Sequence, residues 1–131
     1  MGLISVVLAA LAGFFVGALW YMTLAKPWMR AAGIDMTEDG KPAQSAGAMP
    51  FVISGICMLV VAGMMRHMLA MAGIDGATKS LVAGLGVGAF FIAPWVAMNY
   101  AYAMRSRSLM VIDGGYAIAG CGAIGLVLGL F

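Results

Sequence analysis

The chain has 131 residues, 64% of them hydrophobic and only 9% charged, with a formal net charge of +2. A water-soluble domain is about 45–50% apolar and about 25% charged, so a soluble fold of this length has no room to hide so much apolar surface. The small positive charge carries no basic run of the kind that tracks phosphates, which excludes a nucleic-acid partner.

The first apolar segment is uncharged from Met1 to Ala25 and opens without a basic n-region or a small-residue cleavage site. It reads as a membrane helix rather than a removable signal. Lys26-Pro27-Trp28 should break it, with Pro27 starting a short helix, PWMRAA, at the membrane surface and Gly33 ending that helix. Asp35, Glu38, Asp39, Gly40 and Lys41 then form a solvated loop.

Three more uncharged segments follow: Pro42 to Met65, Ser80 to Met104, and Gly114 to Phe131. Crossing the hydrocarbon takes about 17–25 residues of helix, and each segment qualifies. The expected spans are 3–25, 48–70, 78–104 and 110–131, within one transmembrane domain covering 1–131. The connections AGIDGATK and Arg105–Asp113 are short, which implies antiparallel neighbours. The expected fold is therefore an all-α, up-down-up-down bundle of four transmembrane helices. In the second connection Gly73 should stop one helix, and Thr78 or Asp75 should cap the next. The tetrapeptide AGID occurs at Ala32–Asp35 and at Ala72–Asp75, and reads as two helix-stop signals rather than an internal repeat. Pro94 should kink the third span and free a carbonyl near position 90.

Small residues recur every four positions on three spans: Ala9, Gly13 and Gly17; Ser80, Gly84 and Gly88; Ala117, Cys121, Gly125 and Gly129. Such stripes let backbones approach closely. Four short helices offer more of these faces than one bundle needs, so a homo-oligomer or a membrane-protein partner is expected. Cys57 and Cys121 lie in apolar segments without CxxC spacing, and read as packing residues. The thirteen methionines are spread over every segment and fill space. His67, the one histidine, sits at a helix end as a solvated side chain. No metal site and no cofactor is expected.

In an up-down bundle, Trp20, Tyr21, Trp28, Trp95, Tyr100, Tyr102 and Tyr116 all fall in one membrane half. Ordinary aromatic belts occupy both interfaces. The same half holds Asn99 and Asp113, with Lys26, Arg30, Arg105 and Arg107 at its rim. Trp20, Tyr21, Lys26, Trp28, Trp95, Asn99, Asp113 and Tyr116 are thus the candidate lining of a polar, aromatic-walled pocket, to be weighed against a one-sided interfacial anchor. Asp113 is expected to be the N-cap of the last helix. Were that helix to start near Ser108, Asp113 would instead lie more than a turn deep, and a carboxylate there would need a partner such as Arg105, Lys26, Asn99 or a tyrosine hydroxyl.

The segment GALWYMTLAKPWM at Gly17–Met29, followed by DGGY at Asp113–Tyr116 and a glycine-rich last helix, resembles the bacterial domain-of-unknown-function family 1761. Those proteins are of this length. They carry a G-x-LWY pattern, a following lysine and tryptophan, and a D-x-GY-like start to the last helix. The resemblance covers nearly the whole chain. It implies a four-helix membrane protein, marks Trp20, Tyr21, Trp28 and Asp113 as motif positions, and supplies no substrate or catalytic role.

The expected function is a small, non-enzymatic multi-pass membrane protein, acting as a homo-oligomer or as an accessory subunit of a membrane complex. The alternative is a small transporter or channel using the polar half. No Ser/His/Asp set, paired carboxylates or metal cluster supports an enzyme. Basic residues at Lys26, Arg30, Lys41, Arg105 and Arg107, against Arg66 and Lys79 on the other side, place the first and third loops in the cytoplasm and both termini outside a bacterial inner membrane.

Overall fold

The computed structural model describes residues 2–131 and is all-helical apart from one isolated bridge between Met36 and Pro42. Helix α1 spans Gly2–Thr23 and α2 Ala25–Ala32. Helix α3 spans Met49–Met71. Helix α4, Ala77–Val87, runs through a π turn at Gly88–Ile92 into α5, Ala93–Tyr102. Helix α6 spans Arg107–Leu128. Helices α1 and α3, the continuous rod Ala77–Tyr102, and α6 are four helices long and apolar enough to cross a membrane. Their bounds lie within three residues of those expected.

Helix α6 is the hub, packing against α1, α2, α3 and the whole rod from α4 to α5. Glycine makes this possible. A β-carbon built at Gly84 would fall on the Cys121 carbonyl, one at Gly88 on the Ala117 carbonyl, and one at Gly125 on the Ser80 carbonyl. The α4 and α6 stripes therefore face each other, antiparallel and backbone to backbone. Gly129 closes the row against Gly76. On α1, Gly13 receives the Ile124 side chain and Gly17 the Tyr116 ring, while Ala9 is fully buried. All three small-residue stripes are thus used within one chain. The surplus of packing faces from which self-association was expected is absent, because α6 meets the α4 stripe with its own small residues and fills the α1 stripe with Ile124 and Tyr116.

The second helix begins at Ala25, two residues before the expected start. Pro27 falls in its first turn, where a missing N–H costs nothing. Both AGID segments stop helices in the same way. Gly33 and Gly73 have φ of 73° and 64°. The Ile34 amide bonds the Met29 carbonyl, and the Ile74 amide bonds the Leu69 carbonyl, both at 2.9 Å. This is the glycine-terminated stop in which the residue after the glycine reaches back five positions.

Two expected caps are corrected. Helix α4 is preceded by Gly76, not capped by Asp75 or Thr78. The chain enters there at φ 91°, which L side chains rarely adopt, and Gly129 crowds the Gly76 carbonyl. Helix α6 is capped by Ser106, whose hydroxyl accepts from the Leu109 amide at 3.2 Å. Asp113 is therefore inside the helix and is not its N-cap. Serine caps as well as aspartate does, and the earlier start hides Leu109 in the core.

The Pro94 expectation resolves into the π turn. The Ala93 amide bonds the Gly88 carbonyl, five residues back. One extra residue in the turn lets the rod run on past a proline that would otherwise strike the preceding turn.

Candidate functional site

Three helices bring side chains to one carboxylate carried by a fourth. Tyr21 at the end of α1 donates its hydroxyl to Asp113 Oδ1 at 2.6 Å. Trp28 of α2 donates its indole N–H to the same oxygen at 3.1 Å. Tyr100 of α5 donates to Oδ2 at 2.6 Å. Asp113 itself is carried by α6 and is half-buried. The two phenol contacts fall in the range of charge-assisted O–H···O⁻ bonds, and an indole can only donate. Of the partners named for a deep Asp113, the tyrosine hydroxyl is the one used. Among the described residues no basic side chain pairs with it. Arg105 is exposed and turns its guanidinium to the Ala32 carbonyl at 2.8 Å.

The aromatic residues are held by the glycines around them. The Trp20 indole donates to the Ile112 carbonyl at 2.9 Å, and a β-carbon at Gly115 would overlap its ring. Tyr116 lies in the slot left by Gly17 and donates to the Gly13 carbonyl at 3.0 Å. Its hydroxyl also lies 3.6 Å from the Met58 sulfur, which ties α3 to the cluster. Tyr21 meets Trp28 and Tyr116 edge-on, with ring centroids 5.8 and 5.4 Å apart.

Helix α2 is pinned in place to deliver Trp28. Its Met29 is buried. The carbonyls at its C-terminal end accept from Ser106 (Ala31, 2.9 Å) and from Arg105 (Ala32), a cation where the helix dipole favours one.

Beside the carboxylate is a cavity of about 310 Å³. Tyr21, Tyr100, Asp113 and Tyr116 form its polar wall, and Met58, Val61, Ile92, Val96 and Ile124 its apolar one. Ile92 comes from the π turn.

Of the residues expected to line a pocket, Tyr21, Asp113 and Tyr116 line it, and Trp20 and Trp28 brace them. Lys26, Trp95 and Asn99 remain exposed outside it. The Lys26 stem lies against Gly40. Sequence reasoning overlooked Tyr100 as a direct partner, although it counted among the one-sided aromatics. It also overlooked Met58, for which no sequence signal existed. His67 and Cys57 are exposed and Cys121 is buried with a free thiol.

These features define a class: a small helical protein whose apolar helices close around one carboxylate held by phenols and an indole. The family model described as "Protein of unknown function (DUF1761)" matches residues 4–129, and the chain belongs to that family. No curated protein and no solved structure matches it.

Proposed function

We infer that the protein is a non-enzymatic, multi-pass protein of the bacterial cytoplasmic membrane that binds a small molecule in the cavity beside Asp113. The observation that carries this reading is a carboxylate six residues inside an apolar helix, hydrogen-bonded only to neutral donors and facing an apolar chamber. An ionisable group at such a depth is costly and by default marks a functional site. A pocket that is mostly apolar, with a few convergent polar groups, is the usual form of a small-ligand site.

An up-down-up-down arrangement supports the one-sided site. Arg66 near the end of α3 lies beside Gly2 at the start of α1, and Gly129 lies beside Gly76 at the start of α4. The opposite ends carry Trp20, Trp28, Tyr100 and Asp113. The amphipathic α2, with Met29 buried and Lys26 and Arg30 exposed, fits a helix lying at the membrane surface on that side. The excess of Lys26, Arg30, Lys41, Arg105 and Arg107 over Arg66 and Lys79 supports a cytoplasmic position for it, with both termini outside.

Native mass spectrometry of the protein transferred from its own membrane into nanodiscs tests the binding role. A small molecule should remain bound to the natural chain and be lost from Val96→Phe, which fills the cavity. An identical spectrum from both would refute it.

A second reading, association with another copy or with a partner subunit, is favoured by α3. Phe51, Val52 and Ile56 are exposed along an open apolar groove between α3 and α1, and Val60 is exposed on the same helix.

A further inference from the structure

The cavity beside Asp113 has an electrostatic character that narrows its ligand. We propose that it binds an apolar organic cation, a substituted ammonium with a hydrocarbon or aryl body. This rests on the small-molecule reading above and names the chemical class.

Asp113 accepts from Tyr21, Trp28 and Tyr100, which are all neutral. These bonds hold the carboxylate but do not cancel its charge. Arg105, in the neighbouring loop, is exposed, turns its guanidinium to the Ala32 carbonyl and makes no ion pair with Asp113. In a low-dielectric setting an unbalanced negative charge attracts a positive ligand far more strongly than it would in water.

The walls determine what kind of cation fits. Both carboxylate oxygens already accept short hydrogen bonds, and the other lining groups are phenols, alkyl chains, the Met58 thioether and the single thiol of Cys121. A compact inorganic ion such as calcium needs about six to eight oxygen ligands, and the described residues hold no group of three or more metal-binding side chains. A substituted ammonium needs no such shell. It is weakly hydrated, its charge is satisfied by a carboxylate and by aromatic faces, and its body gains from Val61, Ile92, Val96 and Ile124. The volume of about 310 Å³ suits a ligand with one ring and a few methyl groups.

The probe is benzyltrimethylammonium, with neopentylbenzene as its neutral isostere, in which carbon replaces the charged nitrogen. Binding is read by equilibrium dialysis of radiolabelled probe against the full chain in nanodiscs, with empty nanodiscs subtracted. The cation should be retained saturably and at least about tenfold more tightly than its isostere, a factor within the reach of one uncompensated charge. Asp113→Asn should weaken the cation by about tenfold or more and leave the isostere unchanged. Val96→Phe should abolish both.

If the isostere binds as tightly as the cation, or folded Asp113→Asn holds the cation as well as the natural chain does, the cation assignment is overturned while the pocket reading stands. If neither probe binds saturably, the cation assignment falls. A ligand still lost from Val96→Phe in native mass spectra would then keep the pocket reading alone. Should Asp113→Asn fail to fold, the comparison of cation with isostere on the natural chain decides.

Discussion

The Trp20 indole donates to the Ile112 carbonyl at 2.9 Å while its ring covers Gly115. This relationship explains why two motifs far apart in the chain belong together. In the first, Gly17 makes the slot for Tyr116, Trp20 crosses onto α6, and Tyr21 reaches Asp113. In the second, Asp113 accepts, Gly115 admits the indole, and Tyr116 enters the Gly17 slot. Each motif is shaped as the counterpart of the other.

Gly17→Ala should therefore destabilise through Tyr116. The new β-carbon meets the ring, so a shift of Tyr116 is forced, costing about 1–3 kcal/mol as overpacking does. Tyr116→Ala alone should also destabilise. The double variant should be better than the sum of the two, and a double-mutant cycle of unfolding in mild detergent measures this coupling. Strict additivity would show that the two residues do not meet.

The α4–α6 contact gives a sharper contrast among glycines. Gly84→Leu and Gly125→Leu would push a side chain into the facing backbone and should abolish the folded monomer itself. Gly55 and Gly86 face open space, so Gly55→Leu and Gly86→Leu should be tolerated, with stability within about 1 kcal/mol of the natural chain. Gel filtration and thermal unfolding of the four variants check this. Gly84→Leu giving a folded monomer of normal stability would disprove the packing.

The turn before α6 holds Met104 at φ 56°, a left-handed conformation that favours glycine. The Arg105 amide bonds the Tyr100 carbonyl at 2.8 Å, the same helix stop that Gly33 and Gly73 make. Met104 is 91% exposed and has no packing to lose. Met104→Gly should raise stability by about 0.5–1 kcal/mol, seen as a higher unfolding midpoint. A lower midpoint would contradict the strain.

Orientation and assembly are open to direct measurement. Cysteines introduced at Thr37 and Ala77 should differ in accessibility, with Ala77→Cys labelled from outside intact cells and Thr37→Cys protected. The reverse pattern would invert the assignment. Mass photometry in mild detergent reports the oligomeric state. A dimer that survives Gly84 and Gly125 in their natural form but is lost on Val52→Glu or Ile56→Glu would place the contact on α3, and monomers alone would count against association.

Much of the fold was legible because membrane spans announce themselves through uninterrupted apolar length. Helix stops were legible where glycine marks them, at Gly33 and Gly73. The start of α6 was misread because a charged residue at the edge of an apolar run suggested a cap, while Ser106, the residue that caps, is one ordinary serine among two near Arg107. The one-sided distribution of aromatics pointed to the end of the bundle where Tyr21, Trp28 and Tyr100 bond to Asp113. It could not separate Tyr100, which faces inward to Asp113, from Trp95 and Tyr102 on the same helix, which face outward. That choice depends on the rotation of α5, and the π turn ahead of it resets the phase of every residue that follows. The destination of the small-residue stripes was likewise hidden, since spacing alone does not say whether a partner face lies in the same chain.

Phenols from two other helices hold the Asp113 carboxylate inside α6. A double-mutant cycle between Asp113→Asn and Tyr100→Phe, measured as unfolding free energy in nanodiscs, tests this arrangement most directly. Each single change should cost about 1–3 kcal/mol, because each removes a hydrogen bond to a charged group. The pair should cost less than the sum by about 1 kcal/mol or more. Strictly additive costs, or an Asp113→Asn chain as stable as the natural one, would contradict it.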